Sequence, residues 1–316
     1  MFKYVLRRIF EVVPTTFGIL LLTFVLFNVV VGSPAVTVLG KNASAEAIAT
    51  FNHRFGYDKP LIFGGEEGFF DSQFFSFIGN LAKGDFGYSV SCEEPVADIL
   101  LRGVGPSLKL TIPILAGGTI IALMLALIAA AKRGRAVDKS ILFASTILMS
   151  VNYVIWVIAG QFLLSFKAGI FPVWGCDGAF FYALPVMIGI VSSLGMDVRF
   201  FRTAFLDEIY KPYVLTARAK HLGKATILVR HVMRNALIPI VTYVSLSIPY
   251  LFTGSLLLES FFGIPGLGSV SINAINSSDM AVVRAVVVLG ALIYQFVNLA
   301  TDIAYAFLDP QVKVGS

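Results

Sequence analysis

The side chains with which this chain could do covalent or metal chemistry are few: His53, His221 and His231, and the cysteines Cys92 and Cys176. No histidine pairs with a cysteine at ligand spacing, so no zinc-type set can be read. Three histidines so dispersed support no Ser–His–Asp arrangement either. The nearest approach to a phosphate-cradling loop is Gly223-Lys224-Ala225-Thr226. Such a loop needs G-x-x-x-x-G-K-[ST], so that backbone N–H groups surround the phosphates. Here the order fails, and Arg218 stands where the upstream glycine belongs. The expectation is a chain that is not an enzyme and holds no cofactor and no metal of its own.

What the chain offers instead is a recognition surface. The segment from Asp207 to Pro239, DEIYKPYVLTARAKHLGKATILVRHVMRNALIP, is basic and partly polar and lies between two long apolar runs. Pro212 suits the first turn of a helix, where its missing N–H costs nothing. Gly223 is expected to end that helix, with Lys220 and His221 in its last turn. Leu215, Ala219 and Leu222 recur at i, i+4 and i+7 and share a face. Arg218 lies beside that stripe, Thr216 and Lys220 on another face. Ala217 and Ala219 leave little bulk, so a second surface can approach closely. Two readings stand open on the residues alone: an amphipathic surface helix whose basic residues meet lipid phosphates, or a docking helix for a separate motor.

The elements that must hold this segment are apolar. Of 316 residues, 57% are hydrophobic and 14% charged, with mean hydropathy +0.84. A soluble domain carries about a quarter charged residues, and a globule of this size could not bury so much apolar surface. Six runs reach the roughly 20 residues needed to cross a bilayer, at about 9–31, 107–131, 141–166, 180–200, 237–258 and 284–307. The fold class expected is an all-α membrane protein of six transmembrane helices. Pro185, Gly189 and Gly195 interrupt the fourth run, and Asp197 sits near its end. The first run begins with Lys3, Arg7 and Arg8 but is too long for a signal peptide and lacks an A-x-A-like cleavage site, so it reads as a retained anchor. With the N-terminus inside, sixteen of the 24 lysines and arginines fall on the inner side, those of the short loop AKRGRAVDK among them. That asymmetry places both termini in the cytoplasm. The organisation expected is residues 1–31 as N-terminus and first span, 32–106 as an external region, and 107–316 as the remaining spans with a cytoplasmic loop at 201–236.

In the external region Ser44 is placed to cap a short helix, Glu46 and Glu67 keep it wet, and Gly79, Gly84 and Gly87 mark turns. Phe69, Phe70, Phe74, Phe75 and Phe77 suggest an element lying on the bilayer or packed against the spans. Cys92 and Cys176 both fall outside, where a disulfide between them is open, as is independence. Polar residues inside the runs are Asn28, Asn152, Gln161, Gln295, Asn298 and Asp302. Hydrogen bonding between helices is the expectation for Asn152 and Gln161; Asp302, ~10 Å inward of mid-span at 1.5 Å per residue, is open to helix or interfacial pairing or to a transport role. After the fifth run, Pro265, Gly266 and Gly268 permit a tight turn or external gate. Glu259 is either a cap to that turn or a charge lining a pore. No residue identifies a solute or its path.

The run TARAKHLGKATILVRHVMRNALIP resembles the cytoplasmic EAA-type loop of ABC importer permeases, in the form used by the oligopeptide/dipeptide group. Thr216, Ala217, Arg218, Ala219, Lys220 and Leu222 match its T-A-R-A-K-G-L, and Arg234 to Pro239 match its R-N-A-L-I-P. His221 departs, standing where the group has Gly. The opening YVLRRIFEVVPTTFGILLLTFVLFNVVVGSPA, the pair RFGYDKPL and GDFGYS, the segment ESFFGIPGLG and the closing NLATDIAYAFLDPQV resemble the same group, so the likeness covers nearly the whole chain. The long insertion after the first span resembles that of the first, B-type, permease of the pair such importers use, while the 167–179 loop is shorter than usual. The resemblance implies a second, homologous permease as partner, two ATP-binding subunits that carry ATP and magnesium, and an external solute-binding protein, all at a bacterial inner membrane. It makes Tyr213 to Leu222, with Gly223, the coupling helix. Peptide is the default cargo, with nickel or another small solute as alternative. An ion-coupled secondary transporter would call for inverted repeats and midplane charges, and neither is evident. A membrane scaffold would leave the docking loop and the end motifs unexplained.

Overall fold

A computed structural model describes residues 2–30, 35–40, 43–64, 68, 70–248, 251 and 255–308. The helices are α1 (Phe2–Val25), α2 (Ala35–Leu39), α3 (Ala45–Phe55), α4 (Gln73–Ala82), α5 (Val96–Ala131), α6 (Ala136–Ser150), α7 (Tyr153–Gly160), α8 (Ala179–Ile209), α9 (Pro212–Ala219), α10 (Lys224–Thr226), α11 (Met233–Ser245), α12 (Leu256–Phe262), α13 (Leu267–Asn276) and α14 (Met280–Leu308). The strands β1 (Tyr88–Ser89) and β2 (Glu94–Pro95) pair antiparallel, Tyr88 opposite Pro95. Among the described residues, Phe10–Asn28, Val96–Ala131, Ala179–Ile209, Lys224–Ser245 and Met280–Ile303 are long and apolar enough to cross a membrane, and two bent helix pairs qualify together. The architecture is all-α and built for a bilayer, as composition and run length require.

The chain divides into two compact units, one of residues 1–103 with 270–316 and one of 104–269. In the first, α1 lies along α14. The Arg8 guanidinium pairs with Asp302 at 3.3 Å and the Gln295 amide donates to the Thr15 hydroxyl at 2.8 Å. Both polar residues thus pair between helices, which for Asp302 is one of the roles left open. Phe74 of α4 is fully buried, edge-on to Phe17 and Phe24 of α1 with ring centroids 5.4 and 5.2 Å away. The aromatic-rich stretch is therefore packed against a long helix through Phe74, while Phe70 stays exposed. Ser44 caps α3, accepting from the Ala47 N–H at 3.2 Å. Gly84 and Gly87 take left-handed turns, but Gly79 lies inside α4 and marks none, because the apolar run around it completes a capped helix. Glu67 and Phe69 lie outside the described residues.

The hairpin β1–β2 is tied down by one carboxylate. Asp279, 3% exposed, accepts from the Ser89 hydroxyl at 2.6 Å, the Ser91 hydroxyl at 2.7 Å, the Ser91 N–H at 3.1 Å and the Val282 N–H at 3.3 Å. Burial pushes its pKa up, but the hydroxyl and N–H donors outweigh this, and the carboxyl ends below its ordinary value. Cys92, beside this joint, and Cys176, in the other unit, are both free thiols.

In the second unit α8 runs unbroken for 31 residues through Pro185, Gly189 and Gly195. Its glycines mark close packing instead of interruption. A β-carbon on Gly189 would stand 2.5 Å from Ile114 Cδ1, and one on Gly195 would stand 2.9 Å from the Ser145 carbonyl oxygen. Small residues let helix backbones approach where apolar driving force is absent.

Two expectations about spans change. The run at 141–166 is two helices, α6 and α7 with its π-helical extension to Lys167, bent by 89°. The break arises because Val151 is extended and Asn152 caps α7, its carboxamide oxygen accepting from the Val154 N–H at 2.9 Å. A polar side chain thus begins a new helix where periodicity alone continues the old one. The run at 237–258 is helical to Ser245 in a helix that begins upstream at Lys224, and residues 246–248 are turns; 249–250 and 252–254 lie outside the described residues. Apolar residues Ile227, Val232 and Ala236 are buried in this unit's core and carry the helix through the basic segment. The second bent pair, α12 and α13 at 84°, folds about the turn that contains Pro265 and Gly266.

Candidate functional site

The helix expected from Pro212 forms as the sequence dictates at its start and differs at its end. Pro212 occupies the first position of α9, preceded by an extended Lys211. Val214 and Ala217 are the buried pair, 1% and 6% exposed, in a core with Phe201, Phe205, Ala126 and Ile240. Leu215, Ala219 and Leu222 are exposed, as are Thr216, Arg218, Lys220 and His221. The i, i+4, i+7 stripe therefore faces away from the unit's core. Of the two small residues, Ala219 is free to meet another surface and Ala217 is not.

The helix stops at Ala219, three residues before the expected Leu222, and Gly223 does not end it. The Leu222 N–H reaches the Ala217 carbonyl at 3.4 Å and the His221 N–H reaches Arg218 at 2.9 Å, the two bonds of a Schellman cap. Such a cap needs a left-handed residue at its penultimate position, and His221 supplies it with φ 56°. Gly223 is instead extended (φ −61°) and starts α10, its carbonyl accepting from the Ile227 N–H at 3.0 Å.

Glu208, near the end of α8, clamps this helix. Its Oε2 accepts from the Tyr213 hydroxyl at 2.8 Å and its Oε1 pairs with Lys211 Nζ at 2.5 Å. Burial raises the Tyr213 phenol above its ordinary pKa; a hydrogen bond with Asn235 opposes the rise and Glu208 adds to it. Farther along, Arg202 makes a two-point bond to Asp138, 2.7 Å at each contact, and Asp138 also accepts from the Gly134 N–H at 2.8 Å. The exposed stripe is thus fixed to α8.

Along the same helix lies a cavity of about 500 Å³. Gly189, Ser192, Ser193, Met196 and Asp197 of α8 form one wall, with Thr111, Ile114, Tyr153, Tyr243 and Ser255 among the others. The Tyr243 hydroxyl donates to Asp197 at 3.0 Å, and its ring stacks on Phe200 with centroids 4.4 Å apart. Asp197 and Glu208 are eleven residues apart on α8, or about 16 Å at 1.5 Å per residue. Sequence reasoning left Asp197 at a span's end and passed over Tyr243 and Glu208. The apolar spacing Val198, Phe201, Phe205 was the available signal that the helix continues.

Glu259 is fully buried and is not in the cavity wall. Its carboxylate accepts from the Ser107 hydroxyl at 2.8 Å and from the N–H groups of Ser255 and Ser269, each at 3.1 Å. Ser107 in turn accepts from the Leu267 N–H at 2.8 Å. Of the two roles open for Glu259, the geometry gives the anchor of the Pro265–Gly268 turn. Gly266 and Gly268 are required by that anchor, since β-carbons there would stand 2.5 and 2.8 Å from its Oε2. Gln161 donates to the carbonyls of Phe261 at 2.7 Å and Val173 at 3.0 Å, holding a loop against α12.

Residues 110–314 match the family described as the binding-protein-dependent transport system inner membrane component, and residues 1–111 match that system's N-terminal membrane component. The glutathione transport system permease protein GsiC of Shigella flexneri serotype 5b and that of Escherichia coli strain K12 are each 31% identical over 317 residues, covering 99% of this chain and of the relative. A family of transport-system membrane components, matched over nearly the whole chain, is one of permeases and not of enzymes. The chain belongs to the binding-protein-dependent transport family of inner-membrane components, as a multi-pass ABC importer permease of the oligopeptide/dipeptide type.

Proposed function

We propose that this permease forms half of the pathway of an ATP-driven importer for small peptides, with a second homologous permease as the other half. Two cytoplasmic ATP-binding subunits, which hold the ATP and magnesium, dock on the pair, and an external solute-binding protein delivers cargo. Both termini and the 201–236 loop face the cytoplasm, and residues 32–106 face outward; the distribution of lysine and arginine supports this orientation. Peptide cargo is favoured because the glutathione permeases at 31% identity carry a peptide-like solute in their name.

The observation that carries the reading is the division of α9 into two faces. Val214 and Ala217 join it to the core that contains α8, while Leu215 and Ala219, with Leu222 just past the helix end, are left outward with basic neighbours. An outward apolar stripe on a helix held from behind can take a push from a partner and pass it on. The path runs from α9 through Glu208 along α8 to Asp197 at the cavity, so closure of the motor pair tilts the cavity wall. Tyr213 and Gly223 bracket the coupling element, Tyr213 as the clamp and Gly223 as the start of the return helix.

The test is co-purification with the partner ATPases. Leu215→Asp with Leu222→Asp should abolish it while membrane insertion survives. ATP-dependent uptake in proteoliposomes should stop as well. Retained ATPase binding, or uptake driven by an ion gradient after ATP depletion, would overturn the proposal.

A further inference from the structure

The cavity in the second unit is lined by one acidic side chain, Asp197, with no described basic residue in its wall. Among the described residues that line it, Asp197 is the one that carries a formal charge, and the rest are hydroxyl, aromatic or aliphatic. The two arginines that follow it on α8 are engaged elsewhere: Arg199 with the Thr146 hydroxyl, and Arg202 with Asp138. Its own hydrogen-bond partners, Tyr243 and Ser193, are neutral. A carboxylate has about four acceptor positions, so these donors orient the group without saturating it. Acidic groups within membrane helices are costly and mark pathways or paired sites. A cavity of about 500 Å³ lies in the range of small-molecule pockets. Tyr153 and Tyr243 are among its lining residues, and aromatic rings attract cations.

We propose that Asp197 makes this cavity a site for a protonated amine, so that the permease favours solutes carrying a cationic nitrogen beside apolar surface. The inference rests on the permease reading and names the solute chemistry of its pathway. Asp197 supplies the countercharge, Tyr243 holds it in place, and Ser192, whose hydroxyl proton is given to the Gly189 carbonyl, presents its oxygen as an acceptor to the remainder of the solute.

The experiment reads the charge of the cavity directly and needs no identified cargo. In the assembled importer, with Cys92 and Cys176 changed to serine, Ser192→Cys places a thiol in the wall. Its reaction rates are measured with aminoethyl methanethiosulfonate, itself a protonated amine, and with the anionic sulfonatoethyl reagent. The amine should react faster after correction for the reagents' intrinsic rates. Asp197→Asn should cut that preference roughly tenfold, the size expected for one nearby unit charge in a partly aqueous cavity. Tyr243→Phe, which removes a hydrogen bond and keeps the carboxylate, should retain most of the preference. An unchanged ratio in Asp197→Asn, equal loss in Tyr243→Phe, or a thiol that neither reagent reaches would each overturn the proposal. Failure of the docking reading would show as retained ATPase binding in the Leu215 and Leu222 variant and would leave this ratio untouched, so the two are separable.

Discussion

Gly266 lies so close to Glu259 that a β-carbon on the glycine would meet the carboxylate oxygen at 2.5 Å. The pair accounts for the PGLG turn: the buried acid draws in the Ser107 hydroxyl and the N–H groups of Ser255, Gly268 and Ser269, and only a residue without a side chain fits over it. Glu259→Ala should destabilise the permease by about 3 kcal/mol, because a hydroxyl and three N–H groups lose their buried acceptor. Gly266→Ala should act in the same direction. Thermal unfolding in detergent checks both, and a loss below 1 kcal/mol would remove Glu259 from its anchoring role.

His221 occupies a left-handed position where its side chain brings strain and a glycine would not. His221→Gly should firm the end of α9 by up to about 1 kcal/mol, and His221→Val, β-branched, should loosen it. Hydrogen exchange across residues 212–222 reads the difference. Slower exchange in the valine variant would contradict the cap.

Ala217 and Ala219 separate packing from docking. Ala217→Trp overfills the core beside Phe205 and should cost about 1–3 kcal/mol, whereas Ala219→Trp stands on the outward face and should leave stability within about 0.5 kcal/mol. The second variant should nevertheless lose ATPase co-purification. Equal stability losses in the two would mean that α9 presents a different face.

Asp279 gives a pH dependence whose sign follows from its hydrogen bonds. Its folded pKa lies below the ordinary 3.8. The stabilisation is therefore complete above the ordinary value and is lost as pH falls through the folded one. Wild type should exceed Asp279→Asn in melting temperature at pH 7, and the gap should narrow below about pH 4. A gap that stays constant down to pH 3 would mean that the carboxylate charge is not what holds Ser89 and Ser91.

A paired loss should follow from the clamp on α9. Glu208→Gln and Tyr213→Phe both weaken the contact that ties α9, the proposed docking helix, to α8. Each should preserve ATPase binding yet uncouple ATP hydrolysis from uptake by several-fold. The double variant should add little to Glu208→Gln, because the Tyr213 bond is shared by both changes and Glu208→Gln loses the Lys211 pairing as well. Full additivity, measured as the ratio of ATP consumed to solute accumulated, would show that the two act separately.

The amino-acid sequence by itself determined the class of the protein. Bilayer-length apolar runs, the basic run around Thr216–Leu222 and the PGLG segment depend on local composition and spacing, and local rules suffice to read them. Pro212 and Ser44 were legible as helix starters for the same reason. What only the tertiary structure decided were features set by contacts between distant residues. Asn152 breaks a run that periodicity joins. Gly189 and Gly195, apparent interruptions, are packing surfaces for Ile114 and Ser145. Leu215, Ala219 and Leu222 share a face on any helix, but which face is buried depends on Phe201, Phe205 and Ile240 approaching from other helices. Asp197 looked like the end of a span until α8 was seen to continue to Ile209 and Tyr243 came to lie against it. Chain order carries no distance between such residues; the packing of one helix on another supplies it.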